Sequence, residues 1–157
     1  MHVGSSIKRQ IVDLLDAHRI MTIATNRADG WPQATIVGYV NDGLVIHALI
    51  GRNSQKFANI SRDPRISIAI GNDVRQPTAI AGLSMAARAE AVTDAAEIER
   101  IGRLLLQRYP EYQAWAPEVR ANAEIVFLRI APELVSILDY SKGFGHTELV
   151  RIAKDDF

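Results

Sequence analysis

Apolar residues recur along the chain at two spacings, and the switch from one to the other predicts the elements. Ile7, Ile11, Leu14 and Leu15 return every three or four positions, forming the stripe of a helix that Ser5 or Ser6 can cap. Ile20–Thr25 reads as a strand and Asp29-Gly30 as a turn. Gln33–Val40 predicts a second strand, Asn41-Asp42-Gly43 a hairpin, and Leu44–Leu49 a third strand. Ser54–Ile60 predicts a short helix. Beyond Asp63-Pro64, the residues Ile66, Ile68 and Ile70 share one face of a fourth strand, Arg65–Ile70, and Gly71–Pro77 reads as a loop. Thr78–Val92 reads as a long fifth strand, although its alanines also suit a helix. Asp94 and Glu97 resemble a capping box, before a helix with Ile98, Ile101, Leu104 and Leu105 on its apolar face. After the turn-rich link "YPEYQAWAP", Glu124–Ile130 and Leu134–Leu138 predict two strands broken at Ala131-Pro132. The tail is loop-like around Gly143 and Gly145.

Strands joined by hairpins, with few helices between them, predict a mainly β fold: an antiparallel sheet closed into a small barrel with flanking helices. A doubly wound parallel sheet would need regular strand–helix alternation. With 157 residues, and no repeat or interdomain linker, the chain reads as a single domain over residues 1–157.

Composition narrows the function classes. Eighteen Lys and Arg balance 18 Asp and Glu, so no global field favours nucleic acid or membrane, and an anion site must be local. The absence of cysteine removes thiol chemistry and disulfides. No apolar run reaches the ~18 residues that would span a bilayer, and the N-terminus lacks a signal-peptide core. The expectation is a soluble, cytoplasmic protein.

One local anion site stands out. Within the stretch "GRNSQK", Gly51 to Lys56, two cations and a hydroxyl surround a turn between strand and helix. With Ser54 as cap, the N–H groups of the first helical turn carry the positive end of the helix dipole. The Ser54 hydroxyl, Arg52 and Lys56 could add a donor and full charge. Elsewhere, His2, His18, His47 and His146 show no metal-binding spacing, so no metal site is expected. Trp31 and Trp115 read as packing residues. "GLSMA", Gly82 to Ala86, approximates G-x-S-x-G, and Ser84, Asp139 and His146 follow the chain order of an α/β-hydrolase triad, a remote serine hydrolase reading. "KGFGHTE" is neither a dinucleotide fingerprint nor a P-loop.

The strand–hairpin–strand followed by "GRNSQKFANISRDPRISIAI" resembles the pyridoxamine 5′-phosphate oxidase-like family, the FMN-binding split barrels. Ser54-Gln55-Lys56, the short helix, Asp63-Pro64 and Ile66–Ile70 stand in the family's order, and the resemblance runs from about Ile7 to Val92. It implies FMN, with its phosphate held at Ser54, Gln55 and Lys56, and Arg52 added by the slightly longer turn. Thr35, Ile36 and Val37 match the second-strand stretch beside the flavin ring. His47, Ala48 and Leu49 match the third-strand end that lines ring and ribityl chain, and Ser84 is a further candidate beside the ring. Gln55 stands where true pyridoxamine phosphate oxidases often carry arginine.

The resemblance also implies a homodimer with flavin between the subunits and a redox reaction on a small molecule, with no evident catalytic acid or base. The tail "KGFGHTELVRIAKDDF" lacks the family's Arg-x-His grip on the vitamin phosphate, so vitamin B6 oxidation is not the expected activity. Relatives with this barrel bind haem or the deazaflavin F420, and a non-catalytic binding or sensor protein is the alternative reading.

Overall fold

The computed structural model describes residues 3–115 and 124–157. Its elements are α1 (Ser5–Asp16), β1 (Ile20–Asn26), β2 (Pro32–Asp42), β3 (Val45–Gly51), α2 (Gln55–Arg62), β4 (Arg65–Gly71), β5 (Ala81–Ala91), α3 (Ala95–Arg108), β6 (Ile125–Asp139) and β7 (Thr147–Arg151). Residues 116–123 of the predicted link lie outside the described residues.

Every strand pairing is antiparallel, in the order β3-β2-β1-β4-β5-β6-β7, and β3 also pairs with β6. That last pairing closes six strands into a barrel and leaves β7 on the edge of β6. Alternation along β1, β4 and β5 sends Met21, Ile23, Ile66, Ile68, Ile70, Leu83 and Met85 inward. Ile11 and Leu15 of α1 are fully buried against this core. Each such side chain contributes about 1.5–3 kcal/mol. A second cluster packs α3 over the barrel, joining Ile101 and Tyr109 to Val40, Val92 and Phe127. β3 is therefore covered on both faces, which explains its unbroken apolar run.

The hairpin turn at Gly43 adopts φ +59, a conformation that glycine reaches without strain. β5 forms as a strand because β4 and β6 pair along its two edges, an outcome of tertiary context rather than of alanine's propensity. Its small residues also permit close approach. A Cβ on Gly82 would lie 2.2 Å from the Ile70 carbonyl oxygen.

Three expectations are corrected. The N-cap of α1 is Gly4 with no side-chain cap, not Ser5 or Ser6. Asp94 does accept from the Glu97 N–H (2.8 Å), but the Glu97 carboxylate bonds Arg129 (2.9 Å) instead of closing the box. The two strands expected around Ala131-Pro132 are one strand, β6. The register shifts there, from Ala86↔Leu134 to Ala87↔Pro132, so Glu133 is the extra residue of a bulge. A proline has no N–H for the ladder, and a bulge accommodates it.

Candidate cofactor cleft

β2 and β3 are paired only from Tyr39↔Ala48 to Asp42↔Val45. Extending that register would set Gly38 opposite Leu49, Val37 opposite Ile50 and Ile36 opposite Gly51, and those pairs are not made. Below Tyr39, β2 pairs with β1 alone, while Leu49 and Ile50 continue along β6. The barrel is split at this seam. The chain leaves β3 there, turns through Gly51–Ser54 and enters α2.

A buried polar tether holds α2 at the split. Asn59 donates to Thr25 (2.9 Å) and Gln33 (3.2 Å), and it accepts from the Gln55 amide (2.9 Å). Phe57 anchors the helix on the core. Ser54 caps α2: its Oγ accepts from the Phe57 N–H (3.2 Å) and donates to the Gly51 carbonyl (2.7 Å). That hydroxyl proton is thus engaged in shaping the turn, contrary to its expected donation to an anion. The Gln55 side chain is likewise engaged with Asn59.

Three groups of the first helical turn remain available. Among the described residues, the N–H groups of Gln55 and Lys56 have no acceptor, and the Lys56 ammonium has no carboxylate partner. Lys56 is half-buried, and burial lowers its pKa from the ordinary lysine value. An unpaired, partly desolvated ammonium beside outward N–H groups at a helix N-terminus is an arrangement that suits an anion. Arg52 lies on the exposed turn just before it, with its backbone N–H on the Glu124 carbonyl (2.6 Å). Across the seam, Thr35 follows Gln33 on the same face of β2, and its Oγ1 is buried without a partner among the described residues.

The other predicted residues separate. Val37 is half-buried beside Thr35 on the inward face of β2. Ala48 faces the barrel interior and His47 lies beneath α3, each 0% exposed, so in this conformation neither side chain can touch a ligand entering from solvent. Leu49 packs in the α3 cluster.

Ile36 is 71% exposed and points outward, as does Ser84. These two meet in a shallow groove of about 320 Å³ whose lining includes Ile20, Thr22, Ala69 and Leu138. The groove follows a ladder of register partners, Ile36–Thr22–Ala69–Ser84–Ser136–Leu149, running across six strands. Next to it runs Ala34–Ala24–Ser67–Ala86–Leu134–Arg151.

The hydrolase triad is not assembled. Ser84 sits within a continuous strand between Ala69 and Ser136, not on a strand-to-helix elbow. The Asp139 carboxylate accepts from Ser141 N (3.2 Å) and Oγ (2.5 Å) and lies 3.4 Å from Lys142 Nζ, and His146 is exposed. Trp31, expected to pack, is 73% exposed on the β1–β2 hairpin, and the side chain of Trp115 lies outside the described residues. No cluster of potential metal ligands occurs among the described residues.

The Asn59–Thr25–Gln33 tether and the outward ladder escape a reading of the sequence. Their residues are polar or small, and their association depends on strand register rather than periodicity.

Residues 7–139 match the model of a family described as pyridoxamine 5′-phosphate oxidase. General stress protein 26 of Bacillus subtilis (strain 168) is 25% identical over 134 residues, covering 85% of this chain and 89% of that protein. A conserved hypothetical protein of Mycobacterium tuberculosis is 26% identical over 98% of this chain and 96% of its own, with a TM-score of 0.75. A heme binding protein of Mycobacterium smegmatis has the same fold, with a TM-score of 0.77 and 20% identity over 95% of this chain and 59% of its own.

Proposed function

The chain belongs to the pyridoxamine 5′-phosphate oxidase-like family, and on that premise we propose that it is an FMN-binding oxidoreductase, a cytoplasmic homodimer acting on a small molecule. One observation carries the reading: the half-buried ammonium of Lys56, without a partner among the described residues, beside the open N–H groups of Gln55 and Lys56 at the mouth of the split. These groups suit a phosphate monoester. Arg52 adds charge, Ser54 holds the turn in shape, and Thr35 offers an unsatisfied hydroxyl on the facing strand. Ile36 and Ser84 line a shallow, mostly apolar groove that suits a planar ring.

Bound FMN supplies hydride and electron transfer. The chain's own residues anchor the phosphate, shield the ring from water and set its orientation. The redox claim extends to a small molecule rather than to pyridoxamine 5′-phosphate: no Arg-x-His grip is present, and Lys142 is drawn to Asp139. The uncharged ladder from Ile36 to Leu149 supports a second copy as the cover of this face.

The haem-binding relative supports a second reading, in which the barrel holds haem. His146 is the exposed imidazole among the described residues, and it is the side chain that would hold the iron.

Absorption of the purified protein, with mass spectrometry of the ligand released on denaturation, separates these readings. The expected result is a flavin spectrum and FMN, bleached by NADH or NADPH and restored by an acceptor. A Soret band, released F420, or failure to take up added FMN would overturn it.

A further inference from the structure

A second groove, of about 480 Å³, lies away from the Lys56 cradle, between α1 and the ends of β5 and β6. Arg9, Gln10 and Asp13 form its helical wall, Leu14 and Leu138 line it, and Asp139 stands at its far side. Its volume falls within the range of small-molecule sites, and Ser6, Arg9, Gln10, Asp13 and Asp139 make most of its lining residues polar.

The helical wall is held in place at both ends. The N-terminal end of α1 is fixed by Val3 N–H donating to the buried Asp156 carboxylate (3.0 Å) and by the Lys8 ammonium on the Asp156 carbonyl. Its C-terminal end is fixed by Arg108, which donates to the carbonyls of Leu15 (2.6 Å) and His18 (2.6 Å), and by the Tyr39 hydroxyl on Leu15 O (2.7 Å). With Ile11 and Leu15 in the core, α1 cannot rotate, and its flank presents Arg9 and Asp13 to the groove.

Arg9 and Asp13 stand one turn apart, yet they form no ion pair with each other or with any described residue. The groove therefore offers one guanidinium and one carboxylate, both unpaired, while the carboxylate across from them, Asp139, is already engaged by Ser141 and Lys142. We propose that this groove is a subsite for a small organic zwitterion, whose phosphate or carboxylate meets the Arg9 fork while its ammonium meets Asp13. A guanidinium matches an oxyanion in two parallel hydrogen bonds, and carboxylates match an ammonium. Leu138 also lines the outward groove shared by Ile36 and Ser84, so the occupant lies next to the ring placed there under the flavin reading. That adjacency alone rests on the flavin reading.

The test is calorimetry on FMN-supplemented protein with three probes: O-phosphoethanolamine, inorganic phosphate and ethanolamine. The zwitterion should bind at least about tenfold more tightly than either part. Arg9→Gln should weaken the zwitterion and phosphate about tenfold or more and spare ethanolamine, and Asp13→Asn should weaken the zwitterion and ethanolamine and spare phosphate. At an FMN concentration that saturates both proteins and so keeps phosphate out of the Lys56 turn, Lys56→Ala should leave all three probes unchanged. The proposal is overturned if Arg9→Gln leaves zwitterion binding intact, if the three probes bind alike, or if Lys56→Ala rather than Arg9→Gln abolishes binding. Both groove variants should retain wild-type affinity for FMN. A wild-type chain that takes no FMN contradicts the flavin reading and leaves this one standing.

Discussion

His47 occupies a strand position where a flavin contact is expected, yet its ring is sealed beneath α3, with both nitrogens unsatisfied among the described residues. Burial lowers its pKa first and Arg100 adds to that, whereas Glu97, the backbone of Leu128 and Asp42 oppose it. The unfolded chain binds a proton near pH 6.5, whereas the folded chain does so only at lower pH. The unfolded state thus holds more protons between those two values, and stability falls as pH drops through that window. The melting temperature should decline from pH 7.5 to pH 5.5. His47→Leu should flatten that decline and match or exceed the wild type at pH 7.5, because it removes two orphaned nitrogens. An unchanged slope in the variant would exclude His47 as the source. Residues of this kind limit what a sequence conveys. Ser54 was legible as a cap, but its hydroxyl proton is committed to Gly51, which only the turn geometry reveals. The facing Thr35 Oγ1 and the Asn59 tether are likewise products of packing.

Among the elements, β5 shows how closely adjacent strands approach. Gly82↔Gly71 is a register pair, and the Ile70 carbonyl occupies the place of any Cβ at position 82. Gly82→Ala should force the strands apart and cost about 1–3 kcal/mol, the usual range for overpacking. Denaturant unfolding would measure it, and wild-type stability would show that the β4–β5 pair can shift freely. Most element positions followed from the sequence, because alternation and helical stripes encode burial directly. Ile66, Ile68 and Ile70 pointed inward as their spacing required. The continuity of β6 through Pro132 was not legible. A proline ordinarily ends a strand, and the bulge that accommodates it is set by the partner β5.

At the scale of the whole molecule, closure of the barrel by β3 on β6 was anticipated only as a class of fold. Register determines where it splits, and the split brings Ile36 and Val37 to the same seam as Lys56. The outward ladder crosses six strands around the barrel wall, a path of about 24 Å at five strand spacings, with an exposed isoleucine and leucine at its ends. A second copy covering it should give a light-scattering mass of about twice 17.3 kDa. Ala86→Arg, on the neighbouring row, should yield a folded monomer. A wild-type monomer would contradict the shared face.

The central claim is that the cradle at Lys56 holds the phosphate of FMN, and the direct test is to titrate wild type and Lys56→Ala with FMN and with riboflavin. Loss of a charge-assisted bond, about 1.5–3 kcal/mol, should weaken FMN roughly ten- to a hundredfold. Riboflavin, which carries no phosphate, should bind both proteins alike. Equal losses for the two ligands, or no loss of FMN, would contradict the assignment.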